Sequence, residues 1–111
     1  MTAYAVAHMR SVDLNAEVGQ YLRRIDATLD AFGGRFAVHG VFPEVVEGEW
    51  PGFLILIAFP DLDAARAWYD SPAYQEILPL RTEHSDSMAC LVQGVPEGYR
   101  ATRKLQELSA R

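Results

Sequence analysis

The sequence predicts a single α+β domain in which strands and helices follow the order βαββαβ. Three observations predict this fold class: apolar residues alternate in some segments, recur at helical spacing in others, and run without interruption through Phe53–Phe59. With 111 residues, 50% of them hydrophobic, the chain has the composition and the room for one globular core.

A strand followed by a helix opens the domain. Residues 3–9 alternate in the manner of a strand with two different faces. Apolar residues then recur at helical spacing, which predicts a helix over residues 15–32 after the helix-start residues Asp13 and Asn15. A pair of glycines ends this helix. Gly19 inside it costs about 1 kcal/mol relative to alanine, which we interpret as a sign of close packing.

The next two strands flank a loop. Residues 35–42 alternate again, and proline, glycine and glutamate residues then predict a loop over residues 43–51. Phe53–Phe59 contains no polar residue, so we expect it to be a central strand that is covered on both faces. One face of the preceding strand is predicted to hold Phe36, Val38 and Phe42, and the other face Ala37, His39 and Val41.

Two helical segments and a last strand complete the domain. Residues 61–70 predict a helix that is capped by the aspartate at its start. Ser71-Pro72 is a second start signal, for a short helix that Pro79 is expected to interrupt. Residues 87–93 return to a strand pattern and predict the fourth strand.

This order of elements is the ferredoxin-like plan, with a four-stranded antiparallel sheet and its helices on one face. We assign residues 1–95 to that domain and residues 96–111 to a charged tail that is helical or frayed. Because the helices cover one face only and the third strand is apolar on both, the other face requires a partner. The sequence therefore predicts a homodimer that pairs through the open face of the sheet.

Composition argues against several classes of partner. The formal net charge of -5 repels phosphate backbones and anionic lipids, so we predict neither a nucleic-acid nor a membrane partner. The single cysteine, Cys90, has no second cysteine to pair with, and it lies in an apolar stretch where we expect a buried, inert thiol. Residues 1–10 lack the pattern of a signal peptide. We therefore expect a cytoplasmic protein.

Several short motifs match a known family. The motifs are Phe32-Gly33-Gly34-Arg35-Phe36, Glu47-Gly48, Phe59-Pro60, residues 68–75 and Pro79-Leu80-Arg81. Through them the chain resembles the bacterial family catalogued as domain of unknown function 1330, in the dimeric α/β-barrel superfamily, over most of residues 3–94. The resemblance implies subunits that pair their sheets face to face, and it implies no common activity. One departure alters a candidate pocket wall, because His39-Gly40-Val41 stands where the family often has an arginine and two glycines.

His39 is the candidate catalytic residue. A neutral imidazole beside a carboxylate such as that of Glu47 can act as a general base near neutral pH. The alternative is a histidine that packs or hydrogen-bonds on its strand without a catalytic role. Glu47 is itself a candidate ligand-binding residue, and its alternatives are a structural salt bridge or a solvated loop position.

Three further side chains are candidate ligand-binding residues. Tyr69 and Tyr74 lie in an aromatic group around a helix break, where phenols can line an apolar pocket and donate hydrogen bonds. Arg81 can clamp a ligand carboxylate through paired hydrogen bonds, or it can bind Glu47 or a helix end. Trp68, at helical spacing from apolar neighbours, is interpreted as a core residue.

No motif predicts a bound metal or cofactor. His84 has Glu83 and Asp86 nearby, but their spacing does not place two ligands on one face as a metal-binding helix does. The chain also lacks a nucleophile elbow, a phosphate loop and a dinucleotide fingerprint. We therefore predict neither a metal nor a cofactor.

Three functions remain open, and the sequence does not decide whether the protein is an enzyme. The first is a homodimer that binds a small organic molecule between sheet and helices. The second is a cofactor-independent enzyme with His39 as its base, because the superfamily includes monooxygenases and isomerases that act on small aromatic or enolisable substrates. The third is an interaction protein whose cavity is filled by side chains.

Overall fold

The computed structural model describes residues 1–109, and its strands form one four-stranded antiparallel sheet in the order β2-β3-β1-β4. The ferredoxin-like βαββαβ fold is therefore confirmed, with β3 inside the sheet. The elements are β1 (Ala3–Val12), α1 (Ala16–Asp30), β2 (Arg35–Val41), β3 (Phe53–Phe59), α2 (Leu62–Asp70), α3 (Pro72–Thr82), β4 (Ser85–Gln93) and α4 (Thr102–Ser109).

Polar side chains fix where the three domain helices begin. Asn15, Asp61 and Ser71 each accept a hydrogen bond from the backbone N–H three residues further along the chain. Such bonds satisfy N–H groups that the first turn of a helix leaves without partners. At the other end of α1, Gly33 turns the chain at a φ of 69°, which glycine adopts at low cost.

The main core lies between one face of the sheet and helices α1, α2 and α3. Its buried members come from these three helices and from β3, and we call this side of the sheet the helix face. Non-polar burial of this kind is the main source of folding free energy. The core residues are Tyr21, Ile25, Leu29, Ile57, Phe59, Ala65, Trp68, Tyr74 and Ile77.

The other side of the sheet is apolar as well, and no helix of the core packs on it. The register places Val6 opposite Leu56 and Cys90, on the side away from Ile57. Met88 is 59% exposed and Cys90 is also exposed, so the expectation of a buried thiol is wrong for a single chain. We call this side the open face, and its larger apolar members on β1, β3 and β4 are Tyr4, Val6, Leu54, Leu56, Met88, Cys90 and Val92.

Strand β2 departs from the predicted alternation. Its register against β3 shifts between Phe36 and Val38 and again between His39 and Val41, as an inserted residue does in a β-bulge. Phe36 and His39 consequently lie on the helix face together, and Val38 and Val41 lie on the open face. The predicted grouping of Phe36 with Val38 is wrong, because strict alternation assumes a strand without bulges. Gly40, at a φ of 69°, supplies the left-handed conformation at the second shift.

Helix α3 passes through Pro79 and ends at Thr82, so the predicted interruption is wrong. A proline inside a helix removes one N–H donor. The helix nevertheless continues, because Ile77 and Arg81 on either side of Pro79 are both buried against the domain. The carbonyl of Pro79 accepts a hydrogen bond from the backbone N–H of Glu83, which closes the last turn.

The tail contains helix α4, which has no buried residue. Residues 110 and 111, which we assigned to the same tail, lie outside the described residues. Within residues 1–109, no helix has the length and the apolar character needed to cross a membrane.

Gly34 and Gly19 provide a matched test of the packing around α1. A Cβ at Gly34 would lie 2.7 Å from side-chain atoms of both Leu29 and Phe59, which are buried and cannot move aside. A Cβ at Gly19 would meet only the Arg23 guanidinium, at 3.7 Å, so the close packing expected there is absent. We expect Gly34→Ala to lower the free energy of unfolding by about 1–3 kcal/mol.

Gly19→Ala is the control and should raise the free energy of unfolding by about 0.5–1 kcal/mol, because alanine is the better helix former. Urea unfolding followed by circular dichroism measures both values. Equal effects of the two substitutions would contradict this account of the packing.

Candidate functional site

A cavity of about 700 Å³ lies between the helix face of the sheet and helices α1, α2 and α3. Its size falls within the usual range for small-molecule sites. The sheet contributes the small side chains Ala5, Ala7 and Ala89 to its wall, and these leave space that larger residues would fill. Leu14 and Phe42 line the cavity and are at least three-quarters exposed, so they mark its opening to solvent.

Four of the five predicted site residues line this cavity. They are His39 from β2, Tyr69 from α2, and Tyr74 and Arg81 from α3. Glu47 is exposed in the loop between β2 and β3 and is not part of the cavity wall. The fold therefore gathers residues that are 42 positions apart in sequence, but it does not bring Glu47 to them.

Arg81 is the charged residue of the cavity wall, and only 7% of it is exposed. Its Nη1 donates a hydrogen bond of 2.9 Å to Ser87 Oγ on β4. Ser85 Oγ donates to the Arg81 carbonyl at 2.8 Å and is within 2.9 Å of Ser87 Oγ. Both ends of the residue are thus tied to the start of β4, and the guanidinium has a defined position.

Two tyrosines lie next to this guanidinium. The hydroxyls of Tyr21 and Tyr74 are hydrogen-bonded at 2.8 Å, and the guanidinium carbon of Arg81 lies 6.0 Å from the centre of the Tyr21 ring. Burial lowers the pKa of Arg81, but Tyr74 and Tyr21 raise it, and the net pKa lies above the usual value. Arg81 is therefore a cation at any physiological pH.

Tyr21 is buried as a neutral phenol. Burial, and then the neighbouring Tyr74, raise the pKa of Tyr21 well above its ordinary value of 10.0. A phenol that keeps its proton can donate one hydrogen bond and accept others. Tyr21 therefore presents a neutral hydroxyl beside the Arg81 charge.

Trp68 and Tyr69 form the aromatic end of the site. The Trp68 ring lies 4.0 Å from the Tyr74 ring, centre to centre, and Trp68 Nε1 donates to Thr28 Oγ1 at 3.0 Å. Thr28 Oγ1 in turn donates to the Ile25 carbonyl at 2.6 Å. Trp68 belongs to the core, as predicted, and one edge of it also faces the cavity.

His39 is exposed and stacks on Phe36, with 4.2 Å between ring centres and 21° between ring planes. Its position on the cavity wall depends on the β2 bulges, which turn it toward the helix face. The expected contact between His39 and a carboxylate such as Glu47 does not occur among the residues described. Within residues 1–109, His39 therefore has no carboxylate partner that fixes its tautomer.

The sequence analysis missed two polar residues of the site. Tyr21 lines the cavity, and Thr28 accepts a hydrogen bond from Trp68. Both lie on the buried stripe of α1, together with Val18, Ile25 and Leu29. The helical spacing 18, 21, 25, 28 would have found them, since position 21 falls on the same face as the apolar residues. They were missed because a pattern defined by apolar residues alone does not include a tyrosine or a threonine at a core position.

A second group of titratable residues lies outside the cavity. The side-chain ligand atoms of three residues lie within 4.8 Å of one another: Glu17, Glu83 and His84. The sequence analysis considered Asp86 as the third member of this group, and the structure has Glu17 instead. His84 Nε2 and Glu17 Oε2 are hydrogen-bonded to each other. This hydrogen bond accounts for the proximity of two of the three groups.

Comparison with known proteins gives a family and a fold. The family model described as "Domain of unknown function (DUF1330)" matches residues 2–95. No curated protein matches the chain.

Three solved structures have related folds. A protein of unknown function from Rhodopseudomonas palustris is 15% identical, with a TM-score of 0.63 over 86% of this chain and 83% of that chain. A protein from Jannaschia sp. CCS1, described as a dimeric ferredoxin-like protein of unknown function, is 12% identical, with a TM-score of 0.58 over 85% and 100%. SnoaB, a cofactor-independent oxygenase from Streptomyces nogalater, is 16% identical, with a TM-score of 0.52 over 89% and 96%.

The raised pKa of Tyr21 predicts how stability depends on alkaline pH. The folded protein keeps the Tyr21 proton above pH 10, whereas the unfolded chain releases it near the ordinary value of 10.0. The Tyr21 contribution is therefore complete below pH 10 and is lost as pH rises further, by about 1.4 kcal/mol per pH unit. Denaturant unfolding at several pH values between neutrality and the alkaline limit measures this slope.

Tyr21→Phe should flatten the alkaline decline, because phenylalanine has no proton to release. Tyr99→Phe, in the segment after β4 and outside the cavity wall, is the control and should leave the decline as it is in the unchanged protein. An identical decline in Tyr21→Phe and in the unchanged protein would show that Tyr21 is not protected by burial.

Proposed function

The chain belongs to the family of the domain of unknown function DUF1330, whose description assigns no activity, and from its cavity we propose a homodimer that binds a small organic molecule. The observation that carries the proposal is the cavity of about 700 Å³ with an apolar wall and a few polar groups. Sites for small molecules have this composition, because apolar walls supply affinity and a few polar groups fix orientation.

Two regions of the wall have different roles in this proposal. Ile55, Ile57 and Phe53 from β3 provide the apolar floor against which a flat molecule packs. Tyr74, Tyr69 and Arg81 provide hydrogen-bond partners from the helices. The proposed mode of binding is shape complementarity with a few polar anchors.

The proposed dimer covers the open face of the sheet with a second copy of the chain. Met88 and Val92 are 59% and 40% exposed, and Val6 and Leu56 lie beside them on the inner strands. An apolar surface of this extent on a protein of this size favours association. The Jannaschia protein of the same fold is described as dimeric, which supports the proposal. We place this dimer in the cytoplasm, since its one cysteine is free.

A cofactor-independent enzyme is the second candidate. His39 lies on the cavity wall, where its imidazole can remove a proton from a bound substrate, and the similar fold of SnoaB belongs to a cofactor-independent oxygenase. Oxygen uptake or substrate-proton exchange that disappears in His39→Ala, with the subunit number unchanged, would support it. An unchanged rate would remove His39 from that role. The third candidate, a protein with a cavity filled by its own side chains, is disfavoured by the open volume.

Blocking the cavity should weaken binding of a neutral aromatic probe. We choose 2-naphthamide, a flat molecule with one hydrogen-bonding group, and measure binding by isothermal titration calorimetry. Ala7→Leu places a larger side chain in the cavity and should weaken binding about tenfold or more. Ala16→Leu, the same change at an exposed position of α1, should bind like the unchanged protein. Equal binding of the probe to Ala7→Leu and to Ala16→Leu would contradict the proposal.

Charge on the open face should separate the subunits. Met88→Arg puts a guanidinium where the proposed partner presents apolar side chains, and burying such a charge without a counterion costs several kcal/mol. Sedimentation velocity should give two subunits for the unchanged protein and one for Met88→Arg. Gln20→Arg, at an exposed position of α1, is the control and should remain a dimer. Retention of the dimer in Met88→Arg would contradict the proposed interface.

A further inference from the structure

We propose that the molecule bound in the cavity is an organic anion, whose carboxylate or other planar oxyanion pairs with Arg81. This inference rests on the proposed function, because it concerns the same cavity. It adds a chemical class: a small, flat, predominantly apolar acid with one negatively charged group.

The first support is an imbalance of charge. Arg81 is buried, with 7% of its surface exposed, and no carboxylate of residues 1–109 forms an ion pair with it. By contrast, the more exposed Arg24 and Arg66 pair with Glu76 and Asp63. The buried cation thus lacks the counterion that these surface arginines have.

The missing counterion is expected to come from outside the chain. A charge removed from water costs several kcal/mol unless an opposite charge and hydrogen bonds compensate it. The groups around Arg81 within the structure, which include Ser87, Tyr21 and Tyr74, bear hydroxyls and not carboxylates. They orient the guanidinium and reduce its cost, but they leave a net positive charge at the wall of an apolar cavity. An anion in that cavity would neutralise it.

The second support is the direction of the hydrogen bonds. Among residues 1–109, Nη1 of the guanidinium donates its hydrogen bond to Ser87, on β4. A guanidinium carries five donors in a rigid, planar fork, which matches the two oxygens of a carboxylate. Arg81 also lies on the cavity wall, where a bound molecule can contact it. Tyr74, beside it, can donate one more hydrogen bond to the same oxyanion.

The rest of the cavity wall determines the chemical character of the uncharged part of the anion. The β3 side chains Phe53, Ile55 and Ile57 are apolar, and Trp68 adds an aromatic edge. A highly charged or extensively hydroxylated molecule would leave its polar groups without partners there, at a cost in affinity. An aromatic or otherwise conjugated monocarboxylate fits both parts of the cavity.

The test compares two probes of the same shape that differ in charge. The unchanged protein is titrated with 2-naphthoate and with 2-naphthamide by isothermal titration calorimetry near neutral pH. We expect 2-naphthoate to bind about tenfold more tightly or better, because a charged hydrogen bond replaces a neutral one. Equal affinities would overturn the inference while leaving the proposed cavity function intact. Binding of neither probe would overturn both.

Variants then assign the preference to one residue. Arg81→Met should remove the preference for 2-naphthoate and retain binding of 2-naphthamide, since methionine keeps the apolar stem. Arg66→Met removes an equal charge from the surface and should keep the preference. A preference that persists in Arg81→Met would overturn the assignment.

If circular dichroism shows that Arg81→Met does not fold, Ser87→Ala tests the role of Arg81 in its place. It removes the hydrogen bond that orients the guanidinium and leaves the charge in place. Affinity for 2-naphthoate should fall several-fold, while affinity for 2-naphthamide should stay the same. Equal affinity for 2-naphthoate in Ser87→Ala and in the unchanged protein would overturn the proposed geometry.

Discussion

Strand β3 lies inside the sheet and is apolar on both faces, and the two faces need different shelter. On one face, Ile57 and Phe59 pack beneath three helices and form the core. On the other face, Leu56 lies opposite Val6 with no helix of the core above them. One chain supplies core helices for one face of the sheet only. The apolar surface on the other face must therefore be covered by something else. The proposed second copy of the chain satisfies that requirement.

The cavity follows from the size of the side chains on the helix face. Ala5, Ala7 and Ala89 are too small to reach the helices, and the space above them stays open. The helices then bring polar groups to the edge of that space, above all Arg81, which Ser87 holds in place. A buried cation beside an apolar floor favours a ligand with an acidic group at one end. The small residues on β1 and β4 therefore create the cavity in which the proposed ligand would bind.

Much of the fold could be predicted from local chemistry, and less of the site. The caps Asn15 and Ser71 act on neighbouring backbone atoms, so their effect is visible in the sequence. The β2 bulges depend on pairing with a distant strand, and this is why the face occupied by His39 could not be predicted from alternation. Glu47 lies in a long loop whose path no local pattern determines. The helical spacing of α1 places Tyr21 on its buried face, but a pattern of apolar residues does not include this tyrosine.

The most direct test of the central claim uses the single cysteine of the chain. Cys90 lies on the open face and is exposed in one subunit, so a second copy on that face would cover its thiol. The rate at which iodoacetamide alkylates Cys90 can be followed by mass spectrometry in native buffer and in denaturant. A covered face predicts alkylation that is at least about a hundredfold slower in native buffer, since access then requires dissociation or unfolding. Equal rates under both conditions would show that the open face is bare and would contradict the account.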